Sequence, residues 1–193
     1  SIFSIHSSLA RTLSVLTAIF LSASTGFQTI ADDWGLTKQE RAQGWKLLFN
    51  GRDTTGWANL EKSTVSNWST EDGALVLTEP GGEDLVYITE QFENFELSID
   101  WKTEGNSGVF VRMSDQTDWL NTGMEIQILP GHGTTSHSTG ALYDLVAPPT
   151  EANVKEKDWN NFLILCKGPI VSCKLNGIET FRIDLREDRR QTP

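Results

Sequence analysis

The sequence predicts an all-β fold, an antiparallel β-sandwich of the jelly-roll type built as a single domain. Three observations predict it. Short apolar segments recur about every 8–12 residues with turn signals between them. The chain has 16 glycines among its 193 residues, which suits many tight turns. Almost no segment shows the 3.6-residue periodicity of an amphipathic helix.

The N-terminal residues are predicted to lie outside the sandwich. Residues 13–23 (LSVLTAIFLSA) form an apolar stretch after Arg11, and small residues follow at 22–25 and 29–31. This is the arrangement of a secretory signal peptide, although a buried N-terminal helix is the alternative. We predict residues 1–31 as a signal peptide, a secreted or periplasmic location, and no integral membrane span in the mature chain, because the apolar run is too short.

A polar segment over residues 32–43 precedes the sandwich. Within it, LTKQERAQ is predicted to form a short helical stretch. Thr37 is the candidate N-cap, and Glu40 three residues later completes a capping box. The sandwich domain is then predicted to span residues 44–193.

The strands of the sandwich follow in order. The clearest prediction is residues 95–101, where apolar and polar residues alternate strictly and give one apolar face. Asp72-Gly73 and Asn176-Gly177 are two-residue hairpin turns. The other strands or hairpins are predicted within residues 44–57, 67–77, 85–88, 109–113, 123–129, 141–146, 158–166, 170–175 and 178–185.

Charge and motifs exclude several classes of function. The formal net charge is −10, and no basic stripe is present. Binding to a nucleic-acid backbone is therefore not expected. The chain has no P-loop, dinucleotide fingerprint or nucleophile elbow. Cys166 and Cys173 flank Gly168-Pro169, and either a disulfide or two buried free thiols fits them.

A pair of polar side chains on one strand is the most informative candidate for a site. Glu125 and Gln127 are two residues apart in GMEIQIL, where the alternate positions are apolar, so both project from one sheet face. Arg112, on a strand nearby in sequence, could pair with Glu125 or bind a substrate oxygen. The alternative is a solvent-facing polar row with an incidental ion pair.

Other residues offer weaker candidates. Trp119 lies in a polar stretch, where it could stack on a sugar ring or could anchor its own loop. Tyr143 follows Gly140 and suits a core or rim position. His132 and His137 are five residues apart in a glycine-rich loop. That spacing is not distinctive for a metal, and solvated loop histidines are the alternative.

The motifs together resemble a known family. GWKLLFNGRDTTGW, NWSTEDGALVL, FENFELSIDWKTEGNSGVFVR, GMEIQIL, STGALYDLVAP, DWNNFLILCKG and CKLNG occur in the order of the 3-keto-disaccharide hydrolase domain family, long known as a domain of unknown function. The resemblance runs from about residue 44 to about residue 185. It implies a concanavalin-like jelly roll with one concave face, in an exported bacterial protein that cleaves the glycosidic bond of 3-keto-glycosides. The chemistry implied is elimination followed by hydration.

The resemblance also implies site residues. The family's N-S-G-x-F-x-R, M-E-x-Q-I and T-G-A-L-Y segments fall on residues 106–112, 124–128 and 139–143. By this match Glu125 is the general base or a metal ligand, and Arg112 orients the substrate or binds an oxyanion. The remaining candidate substrate contacts are Gln127, Asn106, Ser107, Tyr143 and Trp119. A divalent cation is a possible cofactor, with no ligands assigned.

One departure from the family affects the expected fold. Family members usually continue with a glycine-containing segment, a Q-x-H-like stretch and a closing strand, so the resemblance implies a jelly roll without its last strand. The enzyme hypothesis therefore has an alternative, a non-catalytic carbohydrate-binding module on the same fold. A surface adhesion or assembly domain is the third hypothesis, which no positive feature of the sequence supports.

Overall fold

A computed structural model describes residues 4–12, 35–79, 81 and 83–187, which form antiparallel sheets with two short helices. This confirms the predicted fold class. The strands are β1 Ser4–Thr12, β2 Trp45–Leu47, β3 Trp57–Asn59, β4 Trp68–Glu71, β5 Ala74–Leu77, β6 Leu85–Tyr87, β7 Phe95–Lys102, β8 Ser107–Val111, β9 Met124–Ile128, β10 Asn160–Lys167, β11 Ile170–Leu175 and β12 Ile178–Asp184. The helices are α1 Lys38–Ala42 and α2 Trp119–Thr122.

The strands are arranged in one large sheet and two small ones. The large sheet has the order β12-β11-β10-β7-β1-β5-β4, and β2 also pairs with β1. The small sheets are β3-β6 and β8-β9. One hydrophobic core joins side chains of the large sheet, such as Trp101 and Phe162, to side chains of β8-β9, such as Ile126. None of the helices in the described part of the chain combines the length and hydrophobicity that crossing a bilayer requires.

Strand β1 differs from the predicted domain boundaries. Residues 1–31 were predicted to lie outside the fold, whereas Ser4–Thr12 pair with β7, β5 and β2 within the large sheet. The apolar run at residues 13–23, on which the signal-peptide prediction rests, lies outside the described residues. Cleavage of residues 1–31 therefore stays a prediction, as does the absence of a closing strand.

The alternation predicted for residues 95–101 is confirmed in β7. Phe95, Ile99 and Trp101 are buried, whereas the polar residues between them are half-buried on the outer face. There Asn161 of β10 donates hydrogen bonds to Ser98 and Asp100. The alternation therefore places apolar side chains in the core and leaves the outer face polar.

Local turn and capping signals are also confirmed. Asp72 and Gly73 have φ values of 48° and 73°, and Asn176 and Gly177 have φ values of 49° and 89°. Two successive positive φ values give the turn whose twist matches a two-stranded hairpin. At the start of α1, the Thr37 and Glu40 side chains form the predicted reciprocal capping box.

Two segments differ from the predicted strands. Residues 141–146 form only isolated bridges, from Leu142 to Ile126 and to Val146, so they run alongside β9 without becoming a regular strand. The strand predicted at 109–113 ends early, because Arg112 has a φ of +58°. A left-handed residue breaks the alternation of side chains, so the predicted face of Arg112 does not follow from its position in the sequence.

The two cysteines are free and buried. In the β10-β11 register, Cys166 lies opposite Val171 and Cys173 lies opposite Ile164. The cysteines are therefore diagonal neighbours, which are about 7–8 Å apart in an antiparallel pair. That separation exceeds what a disulfide can bridge, so the structure favours the two buried free thiols.

Candidate functional site

A cleft of about 600 Å³ opens between the large sheet and the two small sheets. Apolar side chains of β6 and β7 form much of its wall. The polar residues that line it include Asp84, Asn106, Ser107, Arg112 and Glu125. Four of the predicted site residues thus meet in one cleft, and a fifth, Trp119, lies in its wall.

Glu125 is the acidic residue that β9 presents to the cleft. It lies opposite Phe110 of β8, and on its other side its carbonyl oxygen accepts a hydrogen bond from the Tyr143 amide at 3.0 Å. The carboxylate rests against Gly108, where any Cβ would collide with it. The backbone on both sides and the missing side chain at residue 108 together fix the position of Glu125.

The carboxylate of Glu125 is half-buried and lacks a hydrogen-bond partner among the residues that the structure describes. Burial raises its pKa above the usual value of 4.5, and the nearby carboxylates of Asp84 and Asp144 raise it further. All three effects disfavour the charged form. An unpaired carboxylate with a raised pKa in a cleft is suited to accept a proton from a ligand.

Asp84 is a cleft residue that the sequence analysis did not identify. It comes at the end of a loop, directly before β6, and burial of its carboxyl group raises its pKa. The sequence around it, EPGGED, is typical of an ordinary surface loop. No local signal indicates that this loop lies against the strand carrying Glu125.

Two aromatic rings form one wall of the cleft. The rings of Phe110 and Trp119 meet edge to face, with centroids 4.8 Å apart. Gly123 makes room for them, since a Cβ there would lie 2.9 Å from the Phe110 ring and from the Trp119 carbonyl oxygen. Trp119 therefore lines the cleft and also anchors its own loop, and its stacking on a sugar ring stays a prediction.

Arg112 lines the cleft but is not paired with Glu125. Its Nη2 donates a hydrogen bond of 2.7 Å to the carbonyl oxygen of Gly168 in the β10-β11 turn. Its guanidinium also contacts the thiol of Cys166. Its Nε is buried without a partner among the described residues. Arg112 therefore connects the end of β8 to the large sheet.

Gln127 occupies a different position from the one expected. Only 4% of it is exposed, and it does not line the cleft. The backbone of Gly140 and Ala141 hydrogen-bonds to the backbone of Gln127. The Gln127 amide nitrogen donates a 3.2 Å hydrogen bond to Oδ1 of Asn106. In this structure Gln127 positions a cleft residue, and its contact with substrate stays a prediction.

The remaining candidates lie beside β9. Tyr143 is 37% exposed, and its ring packs on His137 with centroids 4.8 Å apart. His137 Nε2 lies 2.5 Å from Oδ1 of Asp144. His132 does not join this group. Among the described residues, no group of three or more His, Cys, Asp or Glu side chains is placed to hold a metal ion.

Comparison with known proteins supports one family. A family model described as "3-keto-alpha-glucoside-1,2-lyase-like domain" matches residues 44–193. No curated protein matches the chain.

Three similar crystal structures each carry the description "putative glycosyl hydrolase" and come from Parabacteroides distasonis. One is 27% identical, with a TM-score of 0.69 over 80% of this chain and 78% of that one. The second is 28% identical, with a TM-score of 0.50 over 66% of this chain and 72% of that one. The third is 21% identical, with a TM-score of 0.57 over 76% of this chain and 68% of that one, and it shares the fold.

Proposed function

The chain belongs to the 3-keto-alpha-glucoside-1,2-lyase-like domain family, and on this premise we propose that it is an exported carbohydrate-active enzyme that cleaves 3-keto-glycosides. The description shared by the three similar structures, which concerns glycosyl hydrolysis, supports the carbohydrate part of the proposal. The apolar run and small residues at 13–31 support export.

The observation that supports the proposal most directly is the environment of the Glu125 carboxylate. It is half-buried in the cleft, lacks a hydrogen-bond partner among the described residues, and has a raised pKa. General bases are most effective when their pKa lies near the working pH. A carboxylate neutralised by an ion pair would be a weaker base, and Arg112 does not form that pair.

The proposed reaction begins with removal of the proton on C2 of the sugar. The ketone at C3 of the sugar acidifies the C2 proton, which the Glu125 carboxylate accepts. The electrons of the C2–H bond form a C1=C2 double bond, and the bond from C1 to the glycosidic oxygen breaks. The product is an enone conjugated with the C3 ketone, and water can then add across C1=C2 to complete hydrolysis.

Negative charge develops on the C3 oxygen as the proton leaves, and it requires a hydrogen-bond donor. Asn106 is suited to this role. Its Oδ1 accepts a hydrogen bond from Gln127, which leaves its Nδ2 to donate to a ligand in the cleft. Arg112 adds a positive charge to the same cleft, and we propose that it orients the substrate.

The aromatic wall provides a surface for the sugar ring. Apolar C–H faces of a sugar pack on the flat face of an indole, and Trp119 lines the cleft in contact with Phe110. Ser107, at the start of β8, adds a hydroxyl group to the same cleft. This combination of an apolar wall and a few polar groups is typical of small-ligand sites.

The test is release of the aglycone from a 3-keto-glucoside. We expect the wild-type protein to release it and the Glu125→Gln variant to lose at least about 100-fold in kcat/KM, the lower limit for removal of a general base. Glu151→Gln, which changes an exposed loop carboxylate, is the matched control and should retain activity. Equal rates in wild type and Glu125→Gln would reject Glu125 as the base.

A carbohydrate-binding module without catalysis is the second candidate function. The aromatic wall formed by Trp119 and Phe110 favours it, because such a wall binds sugar whether or not a reaction follows. Saturable binding of a 3-keto-glucoside, detected by calorimetry without formation of any product, would support this candidate over the enzyme.

A further inference from the structure

A histidine–aspartate pair near β9 has no role in the reaction proposed above. The Nε2 atom of His137 is 2.5 Å from Oδ1 of Asp144, and the imidazole packs against the ring of Tyr143. His137 is in the glycine-rich loop after β9, where its spacing from His132 gave no distinctive motif. His132 forms no comparable pair within the described residues.

The backbone holds this pair in place. Asp144 has a φ of +61°, which is unfavourable for a residue other than glycine, and its amide donates a hydrogen bond to the Ser136 carbonyl. The His137 amide donates a hydrogen bond to Oγ1 of Thr135, and the hydroxyl groups of Thr135 and Ser138 are hydrogen-bonded to each other. Residues held in such backbone conformations by their surroundings are common at functional sites.

The pair is connected to the proposed base through Tyr143. The amide of Tyr143 donates to the carbonyl of Glu125, and Leu142 forms a bridge with Ile126. Residues opposite each other in an antiparallel pair project to the same side, so the Tyr143 and Glu125 side chains share a face. The charge of Asp144 also acts on the Glu125 carboxylate. The imidazole of His137 therefore packs on a ring that projects from the same face as the Glu125 carboxylate, at the edge of the residues that line the cleft.

From this arrangement we infer that His137, oriented by Asp144, is the general acid that protonates the departing glycosidic oxygen. The inference rests on the proposed function, because it assigns a residue to the leaving-group side of the same elimination. An aspartate bonded to one imidazole nitrogen orients the ring and stabilises its protonated form, so that the other nitrogen exchanges protons with the substrate.

The step balances without any further reactant. Glu125 accepts the C2 proton, and the electrons of that bond form the C1=C2 double bond. The electrons of the C1–O bond go to the glycosidic oxygen, which takes a proton from Nδ1 of His137. The sugar leaves as the enone and the aglycone leaves as a neutral alcohol. His137 ends neutral and Glu125 ends protonated, and solvent exchanges both protons before the next turnover.

The experiment compares two leaving groups in each variant. Methyl 3-keto-α-glucoside releases methanol, a poor leaving group that needs a proton. The para-nitrophenyl 3-keto-α-glucoside releases a stable phenolate that does not. We expect His137→Gln to lose about 100-fold in kcat/KM on the methyl substrate, the lower range for a general acid. The same variant should be nearly unchanged on the nitrophenyl substrate.

Two further variants complete the set. Asp144→Asn should show the same selective loss, because it removes the group that orients His137. His132→Gln, a change to an exposed histidine in the same loop, should match wild type on both substrates. A merely structural role for His137 would lower both rates together, and thermal unfolding of each variant identifies such a loss of fold.

The outcomes separate the two proposals. If wild type cleaves both substrates and His137→Gln lowers both rates equally or neither, the assignment of His137 is wrong while the proposed function stands. If wild type cleaves neither substrate, the proposed function fails and the assignment fails with it. Only loss confined to the methyl substrate supports His137 as the acid.

Discussion

The carboxylate of Glu125 occupies the space that a side chain at Gly108 would need. The two residues lie on paired strands, since Gly108 of β8 is opposite Gln127 and Phe110 is opposite Glu125. The position of the proposed base therefore depends on the lack of a side chain at Gly108 in the neighbouring strand. The backbone of Gly108 does not need a positive φ, so the requirement for glycine is one of space.

The first prediction concerns this contact. Gly108→Ala should displace the Glu125 carboxylate and lower kcat/KM on a 3-keto-glucoside, and the overpacking should destabilise the fold by about 1–3 kcal/mol. Kinetics and thermal unfolding of the purified variant measure both effects. In a Glu125→Ala background the same substitution should be tolerated, because the colliding group is gone. Additive stability losses in the double variant would contradict this explanation.

The second prediction concerns the pH dependence of stability. Glu125 has a pKa above its usual value of 4.5 in the folded protein, mainly through burial. The folded state then holds the proton more tightly than the unfolded state, so stability falls as pH rises from about 4.5 through the raised pKa. Glu125→Gln should therefore stabilise the protein at pH 7 and give no such gain below pH 4. Chemical unfolding at both pH values measures this difference.

The third prediction concerns the pH dependence of activity. The base must be ionised, so the acidic limb of the kcat/KM profile should follow the pKa of Glu125. Asp84→Asn removes one of the carboxylates that raise this pKa, and we expect the limb to move to lower pH. A limb that stays in place would mean that another group controls it. Asp158→Asn, an exposed change outside the cleft, is the control.

The fourth prediction concerns the aromatic wall. Trp119→Ala should raise KM about tenfold, equivalent to about 1.4 kcal/mol of binding, with a smaller effect on kcat. Trp119→Phe should retain part of the binding, because a flat ring remains beside Phe110. Ile178→Ala, an exposed apolar change on β12, provides the comparison. An unchanged KM in Trp119→Ala would remove Trp119 from the substrate contacts.

The fifth prediction concerns the thiols. Burial raises the pKa of Cys166 to about 11 and that of Cys173 to about 12. The reactive thiolate is therefore scarce at neutral pH, and neither thiol is accessible. Mass spectrometry after treatment with iodoacetamide should show no labelling of the native protein and labelling at both sites after unfolding. A native mass that lacks two hydrogens would instead reveal a disulfide.

The sequence is sufficient to predict features that depend on neighbouring residues. The alternation through β7, the turn at Asp72-Gly73 and the capping box of Thr37 and Glu40 all appear as predicted. Each is governed by backbone geometry or by contacts within a few residues. Local rules decide these features, so a single sequence reveals them.

The candidate site depends on contacts that are distant in sequence. Alternation correctly placed Glu125 and Gln127 on one side of β9, but it does not show that Gln127 is buried while Glu125 lines the cleft. The approach of Asp84 to Glu125 joins a loop to a strand about 40 residues later. The pairing of His137 with Asp144 depends on how one loop folds back on itself. Such contacts follow from the tertiary fold and have no periodic signal.

The strand β1 has a consequence for the order in which the protein assembles. Its first residue lies opposite Lys102 of β7, and it also pairs with β5 and β2, so it connects the two flanks of the large sheet. Contacts between residues this far apart form slowly, because a long loop must close first. During synthesis β1 leaves the ribosome long before β7, and its longest pairing must wait until the middle of the chain has followed. The hairpins β4-β5 and β10-β11 close over short turns, so the joining of the two flanks through β1 is the slower step of folding.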